Sequence, residues 1–251
     1  MPETLTAFPF RSGTAICGIA ALLLVLMMLL PGCGGGGVPS EVESLIAKAQ
    51  DAGGTIDSYR MTISMSFASA GNGEVKTEEV TVDIAGDDIG LKDTYFDPET
   101  GEGTVIQEVV RVGDRQWSRD LSGGGWVEEE ATLDEQAAAI YTAHISEYLS
   151  NSVSARVVGD EEMNGVRATR LSFELSPENV SSLLTDIPQS SLEESTGGQV
   201  DIWLDAATYH PVKYKMVYRN VALGSGYDSV DVLIDIDITC INQPLEIVAP
   251  V

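Results

Sequence analysis

Apolar and polar residues alternate along the chain from Ser58 onwards with a repeat of two. In the first such segment, Tyr59, Met61, Ile63, Met65 and Phe67 are separated by polar residues. Because successive side chains of a β-strand point to opposite faces, this pattern predicts a strand with one buried face. A turn follows at residues 71–73, and then Val80, Val82 and Ile84 alternate with polar residues in the same way. The two segments are predicted to form an antiparallel hairpin.

Further short strands, separated by turn residues, are predicted along the rest of the chain. They span residues 89–95, 105–112, 116–118, 154–158, 166–175, 200–204, 212–218 and 229–241, and Trp126 re-enters the sheet after three glycines. Regular short strands with glycine, aspartate and proline between them favour an antiparallel meander. The predicted fold class is therefore mainly β, with a few helices added to an antiparallel sheet (α+β).

Three segments have the pattern of a helix. The first covers residues 40–54 and opens with a capping box of Ser40 and Glu43, two residues whose side chains can bond to each other's backbone N–H groups. Glycines end this helix. The second and third helices are predicted at residues 132–149 and 176–188, and a loop is predicted at residues 189–198.

The amino-terminal segment has a different pattern. An unbroken apolar run of 16 residues, 15–30, ends in Leu30-Pro31-Gly32-Cys33 and is followed by four glycines. This arrangement resembles a bacterial lipoprotein signal peptide, which is cut before a cysteine that carries a diacylglycerol. We expect residues 1–32 to be removed, Cys33 to be lipidated, residues 33–39 to form a tether and residues 40–251 to form a single domain. A retained transmembrane helix is the alternative, although such a helix needs about 20 residues.

The chain is strongly acidic, with 39 Asp and Glu residues against 14 Lys and Arg, and a net charge of −25 at pH 7. Removal of residues 1–32 takes away one acid and one base, so the net charge does not change. Nucleic acid is an unsuitable partner for such a chain, because phosphate binding needs clustered cations. The same charge disfavours electrostatic binding to anionic lipid. We therefore expect a monomer held at the extracytoplasmic side of a membrane, in the cell envelope, by the acyl chains on Cys33.

The sequence contains no motif for catalysis or metal binding. It has no glycine-rich phosphate loop and no Gly-x-Ser-x-Gly motif, and its two histidines, His144 and His210, lack metal-ligand spacing. The acidic turns at residues 87–88 and 97–102 lack the spacing of a calcium loop. We expect no enzymatic activity, no cofactor and no metal. Cys240 ends an alternating apolar series and is predicted to be a buried thiol in a strand, with a bridge to an unlipidated Cys33 as the alternative.

Several short phrases resemble a known group of proteins. They are Ile-Asp-Ser-Tyr-Arg at residues 56–60, Gly-Asp-Glu-Glu-Met-Asn-Gly-Val at 159–166, and Asp-Ile-Trp-Leu-Asp at 201–205 before His-Pro-Val-Lys at 210–213. With the lipobox and the order of helices and strands, they resemble the LolA/LolB lipoprotein-carrier fold and the LppX/LprG-type envelope lipoproteins over most of residues 40–251. The resemblance implies a strongly curved, unclosed antiparallel β-barrel, with helices covering its concave face and an apolar cavity that can hold acyl chains.

Eight apolar residues of the first hairpin are the candidate ligand-binding residues. They are Tyr59, Met61, Ile63, Met65, Phe67, Val80, Val82 and Ile84. Methionine is flexible and polarizable, which suits a cavity that accepts variable chains. Ordinary core packing is the alternative, since the fold needs these residues inside in either case. The corresponding functions are a tethered carrier of a lipid or a lipid-modified molecule, such as another lipoprotein, and a non-enzymatic tethered sensor or scaffold that binds a protein partner through its surface.

Overall fold

The alternating segments form one antiparallel sheet. The computed structural model describes residues 39–69, 73–120, 124–131, 148–183, 195–222 and 229–250. Within these residues the strands are β1 (Ser58–Ser69), β2 (Gly73–Ala85), β3 (Asp88–Phe96), β4 (Gly103–Val112), β5 (Arg115–Asp120), β6 (Val127–Glu130), β7 (Ser152–Met163), β8 (Val166–Leu175), β9 (Gly198–Asp205), β10 (Pro211–Val221) and β11 (Val230–Thr239). The predicted meander is thus confirmed in its main elements, and β6 begins directly after Trp126.

The strand order places the first strand beside the last. The sheet runs β6-β5-β4-β3-β2-β1-β11-β10-β9-β8-β7, and every neighbouring pair is antiparallel. Strands that follow each other in sequence are neighbours, except that β1 pairs with β11 while β6 and β7 lie at opposite edges. Since these two edges do not pair within the described residues, the sheet is curved but not closed. The predicted fold class is confirmed.

Among the described residues, three helical segments accompany the sheet. α1 spans Ser40–Gly53, residues 148–151 form a short helical turn, α2, and α3 spans Pro177–Leu183. The extent of α1 agrees with the prediction, but the predicted capping box is wrong, because Pro39 occupies the N-cap and no side chain caps the helix. Ser40 already lies inside the helix, whereas a capping side chain must come from the extended residue before it.

One face of the sheet, which we call the inner face, packs against α1. Val42, Ile46 and Ala49 form a buried stripe on this helix. They share one core with inner-face residues of β1, β2 and β8–β11, and with Tyr148 of α2 and Val180 of α3. The core belongs to a single compact unit, Gly34–Val251. The helices therefore cover part of the inner face.

The carboxyl end of β11 differs from the prediction. The strand stops at Thr239, and Cys240 is a free, partly exposed cysteine with a positive φ of 55°. The prediction of a buried thiol in a strand is therefore wrong. This φ departs from the extended conformation of a regular strand, and the chain turns at residues 241–242. The turn is held because Asn242 accepts a hydrogen bond from the Asp57 backbone N–H at 2.8 Å and donates its own N–H to the Ser58 carbonyl at 2.8 Å.

Several predictions concern residues outside the described ranges. These are the signal peptide and lipobox at residues 1–33, most of the second helix with His144, and most of the loop at residues 189–198. They stay predictions. In the described part of the chain, no helix combines the length and the apolar character needed to cross a membrane.

Candidate ligand-binding face

All eight candidate residues of the first hairpin lie on the inner face. The register pairs Met61 with Val82 and Ile238, Ile63 with Val80 and Ile236, and Phe67 with Val75 and Val232. Directly opposite side chains on one face of an antiparallel pair are about 5 Å apart at Cβ, so these residues form a continuous apolar surface. The alternation in the sequence is sufficient to place them on one face.

Burial divides the eight residues into two groups of four. Tyr59, Met61, Val82 and Ile84 are 4–8% exposed and belong to the packed core; we call them the buried end. Ile63, Met65, Phe67 and Val80 are partly exposed; we call them the open end. The buried end is filled by neighbouring side chains. In the open end, Ile63, Phe67 and Val80 still pack against the core, but all four residues keep part of their surface in contact with solvent.

The open end continues onto a strand that the sequence interpretation did not connect to it. Ile234 and Ile236 of β11 lie directly opposite Met65 and Ile63, and both are partly exposed. On the other side, Leu91 of β3 is partly exposed but lies opposite Val82 and so adjoins the buried end. The alternation of β11 was visible in the sequence, but nothing local indicates that the last strand pairs with the first.

Aromatic hydroxyl groups hold a methionine in the core under this face. The Sδ atom of Met216 accepts hydrogen bonds from the hydroxyl groups of Tyr148 and Tyr218, each at 3.4 Å. Burial raises the pKa of Tyr59 to about 12, so its phenol stays neutral at physiological pH. The core beside the open end is therefore uncharged.

Two carboxylates interrupt the apolar surface of the open end. Glu78 lies opposite Met65, and Asp93 lies opposite Val80, so the two acids are diagonal neighbours on the inner face of β2 and β3. Burial raises the pKa of both carboxyls, and the charge of Asp93 raises that of Glu78 further, while a hydrogen bond from the Thr94 N–H partly offsets the effect on Asp93. Glu78 lies two residues before Val80 and therefore on the same face of the strand, but it was not among the residues predicted from the sequence.

Other candidate sites have structural roles. Asp97 accepts hydrogen bonds from the Glu99 and Thr100 N–H groups, at 2.9 and 2.8 Å, and these bonds lower its pKa. His210 Nε2 lies 3.2 Å from the Thr55 hydroxyl, which ties the β9–β10 turn to the end of α1. Among the described residues, no three His, Cys, Asp or Glu side chains are grouped as a metal site.

A cavity of about 550 Å³ lies at the other end of the sheet, near the turn after β11. Its lining includes Asp205, His210, Cys240 and Asn242. Most of these polar groups already have partners in turns; for example, Asp205 accepts hydrogen bonds from the Ala207 and Thr208 N–H groups at 2.7 and 3.0 Å. None of the eight candidate residues lines this cavity. Its polar groups therefore shape the turns.

Comparison with known proteins gives matches at the level of structure. Lipoprotein LppX from Mycobacterium tuberculosis is similar with a TM-score of 0.49 and 13% identity, over 84% of this chain and 100% of LppX. LprF from Mycobacterium bovis is similar with a TM-score of 0.46 and 14% identity, over 86% of this chain and 99% of LprF. A LolA superfamily protein from Nitrosomonas europaea is similar with a TM-score of 0.25 and 12% identity, over 79% of this chain and 91% of that protein. No protein-family model and no curated protein sequence matches the chain.

Proposed function

We propose that this protein is a membrane-anchored envelope lipoprotein that binds a lipid or a lipid-modified molecule on the open end of its inner face. The observation that carries the proposal is the change from packed core to accessible apolar surface along β1. Ile63, Met65 and Phe67 stay partly exposed although they continue the series of the buried Tyr59 and Met61. A contiguous apolar surface that is open to solvent is a typical binding site for an apolar partner.

The hydrophobic effect is large enough to hold an acyl chain there. Each methylene group removed from water contributes about 0.8 kcal/mol, so a sixteen-carbon chain gains up to about 12 kcal/mol before the loss of its freedom is counted. A bilayer offers nearly the same gain. Transfer between protein and membrane therefore depends on a small difference in free energy, and the protein acts as a carrier without making or breaking a covalent bond.

The predicted lipid anchor places the binding face close to a membrane. Cys33 would carry two or three acyl chains, enough for stable attachment where one chain is marginal. Only six residues, 34–39, separate it from α1, which begins at Ser40. Fully extended, such a tether reaches about 20 Å. The domain would stay within reach of lipids at the outer surface of that membrane.

Native mass spectrometry of the Cys33→Ser chain, purified from cells without detergent, tests the carrier proposal. We expect a lipid to co-purify, or added palmitate to give a mass shift. Met65→Asp should abolish both signals, whereas Glu41→Gln, an exposed position of α1, should leave them unchanged. If the unsubstituted face neither retains lipid nor binds palmitate, the carrier proposal is wrong.

The sensor or scaffold function has one observation in its favour. Strand β6 lies at an edge of the sheet, all four of its residues are exposed, and three of them are glutamates. An acidic edge strand suits a basic protein partner, and such binding weakens as salt screens the charges. A protein that holds no lipid but binds a basic partner in low salt would support this second function.

A further inference from the structure

The two carboxylates of the open end have no cation beside them. Among the described residues, no Lys or Arg forms an ion pair with Glu78 or Asp93. Lys76, the base nearest to Glu78 in sequence, pairs with Glu79 on the opposite face of β2, and Lys92, next to Asp93, lies opposite Thr81 on the other face of β3. The Oδ1 atom of Asp93 is buried without a hydrogen-bond partner in the described part of the chain. Both acids therefore lie in an apolar surface that stabilises their charged forms poorly.

We propose that Glu78 and Asp93 form a pH-sensitive gate for the open end of the inner face, so that apolar ligands bind tightly when both are protonated and weakly when both are charged. The inference rests on the proposed function and adds a means of regulating it. Charged carboxylates keep water on the surface between Met65 and Val80, whereas neutral carboxyls leave it continuous with the apolar residues around it.

The direction follows from the raised pKa values. Burial already makes both carboxyls easier to protonate than exposed ones, and the charge of Asp93 adds to this effect at Glu78. An apolar chain that covers them removes more water and raises both pKa values again. A ligand that raises the pKa of a carboxyl when it binds must, by thermodynamic linkage, bind more tightly as the pH falls. Each pKa unit gained on binding corresponds to about a tenfold change in affinity.

Among the residues that the structure describes, few other ionisable groups lie near the pair. On the inner face, β1 contributes Tyr59 at the buried end, β3 contributes Tyr95 beside Glu78, β4 contributes Arg111 opposite Ile89, and β5 contributes Asp120 opposite Gln107. Phenols are neutral and guanidinium groups are charged throughout pH 5 to 8, so neither can supply the change. Asp120 is exposed and lies two strands away from Asp93. Within the described part of the chain, the titration of the open end therefore belongs to Glu78 and Asp93.

The test uses a fluorescent diacylglycerol, which has no ionisable group, and the Cys33→Ser chain. We expect its affinity to fall about tenfold or more from pH 5 to pH 8. The Glu78→Gln/Asp93→Asn double variant should bind tightly at both pH values. Asp87→Asn, which removes an exposed carboxylate in the turn of the same hairpin, should keep the wild-type pH dependence.

Three results would overturn the gate. If the affinity for diacylglycerol changed with pH in the same way in the wild type and the double variant, the gate would be wrong and the carrier function would be unaffected. Absence of diacylglycerol binding at every pH would remove the proposed function and the gate together. If the double variant does not fold, carbon NMR of the wild-type carboxyls decides, and ordinary pKa values for both Glu78 and Asp93 would refute the gate.

Discussion

Met61 and Met65 lie on the same face of β1, yet Met61 is 4% exposed whereas Met65 is partly exposed. Met61 is enclosed by the buried Val82 and Ile238, while Met65 lies opposite Glu78 and the partly exposed Ile234. Four residues of strand cover about 13 Å. Over that distance the inner face changes from packed core to accessible surface.

Aspartate at these two positions should therefore have different effects. Met61→Asp buries an unpaired charge and should destabilise the protein by more than about 4 kcal/mol. Met65→Asp can be hydrated, so we expect a loss of about 1–2 kcal/mol, part of which comes from repulsion by Glu78 on the neighbouring strand. Thermal unfolding followed by circular dichroism measures both changes.

The same pair of variants bears on function. Met65→Asp should fold and lose bound lipid in an organic extraction. If both variants are unfolded or insoluble, the open end is part of a filled core and the scaffold function becomes the better proposal.

Two glycines with positive φ offer a matched comparison of backbone strain. At Gly197, φ is +103° and an added Cβ would lie 2.5 Å from the Leu175 carbonyl oxygen; at Gly86, φ is +59° and nothing lies within 4 Å. Gly86→Ala should cost about 1 kcal/mol, from the left-handed conformation alone. Gly197→Ala should cost more than about 3 kcal/mol, because backbone must also move. The midpoints of urea unfolding, compared at equal dependence on urea concentration, give the loss of unfolding free energy for each variant. Similar losses for Gly86→Ala and Gly197→Ala would contradict this explanation.

Glu78 should make stability depend on pH. Its pKa is higher in the folded protein than its ordinary value, so the unfolded chain binds fewer protons between the two values and stability falls as the pH rises through that window. Glu78→Gln should therefore be more stable than the wild type at pH 7. The difference should disappear below about pH 4, where both states of the wild type carry a protonated carboxyl.

Asp160 provides a control, because its effect on stability should depend on pH in the opposite direction. Hydrogen bonds from Thr169 and Arg167 lower its pKa, so its contribution is present above its ordinary pKa and is lost as the pH falls. Asp160→Asn should be less stable than the wild type at pH 7 and equal to it at low pH. If Glu78→Gln and Asp160→Asn changed stability relative to the wild type with the same pH dependence, the direction of the pKa shift given for Glu78 or for Asp160 would be wrong.

Lipidation of Cys33 has a direct test in the mass of the mature chain. We expect residues 1–32 to be absent and the new amino-terminal cysteine to carry the mass of two or three acyl chains. Cys33→Ala should abolish the added acyl mass and, because the cut depends on the lipidated cysteine, leave residues 1–32 attached. In the wild type, an intact amino-terminal segment in the membrane fraction would instead support a retained transmembrane helix.

Much of the candidate face was predictable because side-chain alternation is a local property. A strand must send successive side chains to opposite faces, so the inner face of β1 and β2 follows from residue spacing alone. The extent of α1 was predictable in the same way, from an apolar stripe that ends at Gly53-Gly54. These are features that a short window of sequence determines.

The division of that face was not predictable, because it depends on distant parts of the chain. Tyr59 belongs to a buried core that also contains residues of α1 and β11, whereas the exposure of Phe67 depends on how far that packing extends. The position of Asp93 beside Glu78 depends on the register of β2 with β3. Cys240 left the strand because of a single positive φ, which its alternating pattern could not show.

The pairing of β1 with β11 determines when the sheet can be completed. β1 is made early and β11 last, so one side of β1 has no hydrogen-bonding partner until residues 230–239 are available to fold. Closing so long a loop is entropically unfavourable and slow. During that interval an unpaired central strand can associate with other chains. A chaperone that shields β1 would therefore increase the yield of folded protein more than its modest size suggests.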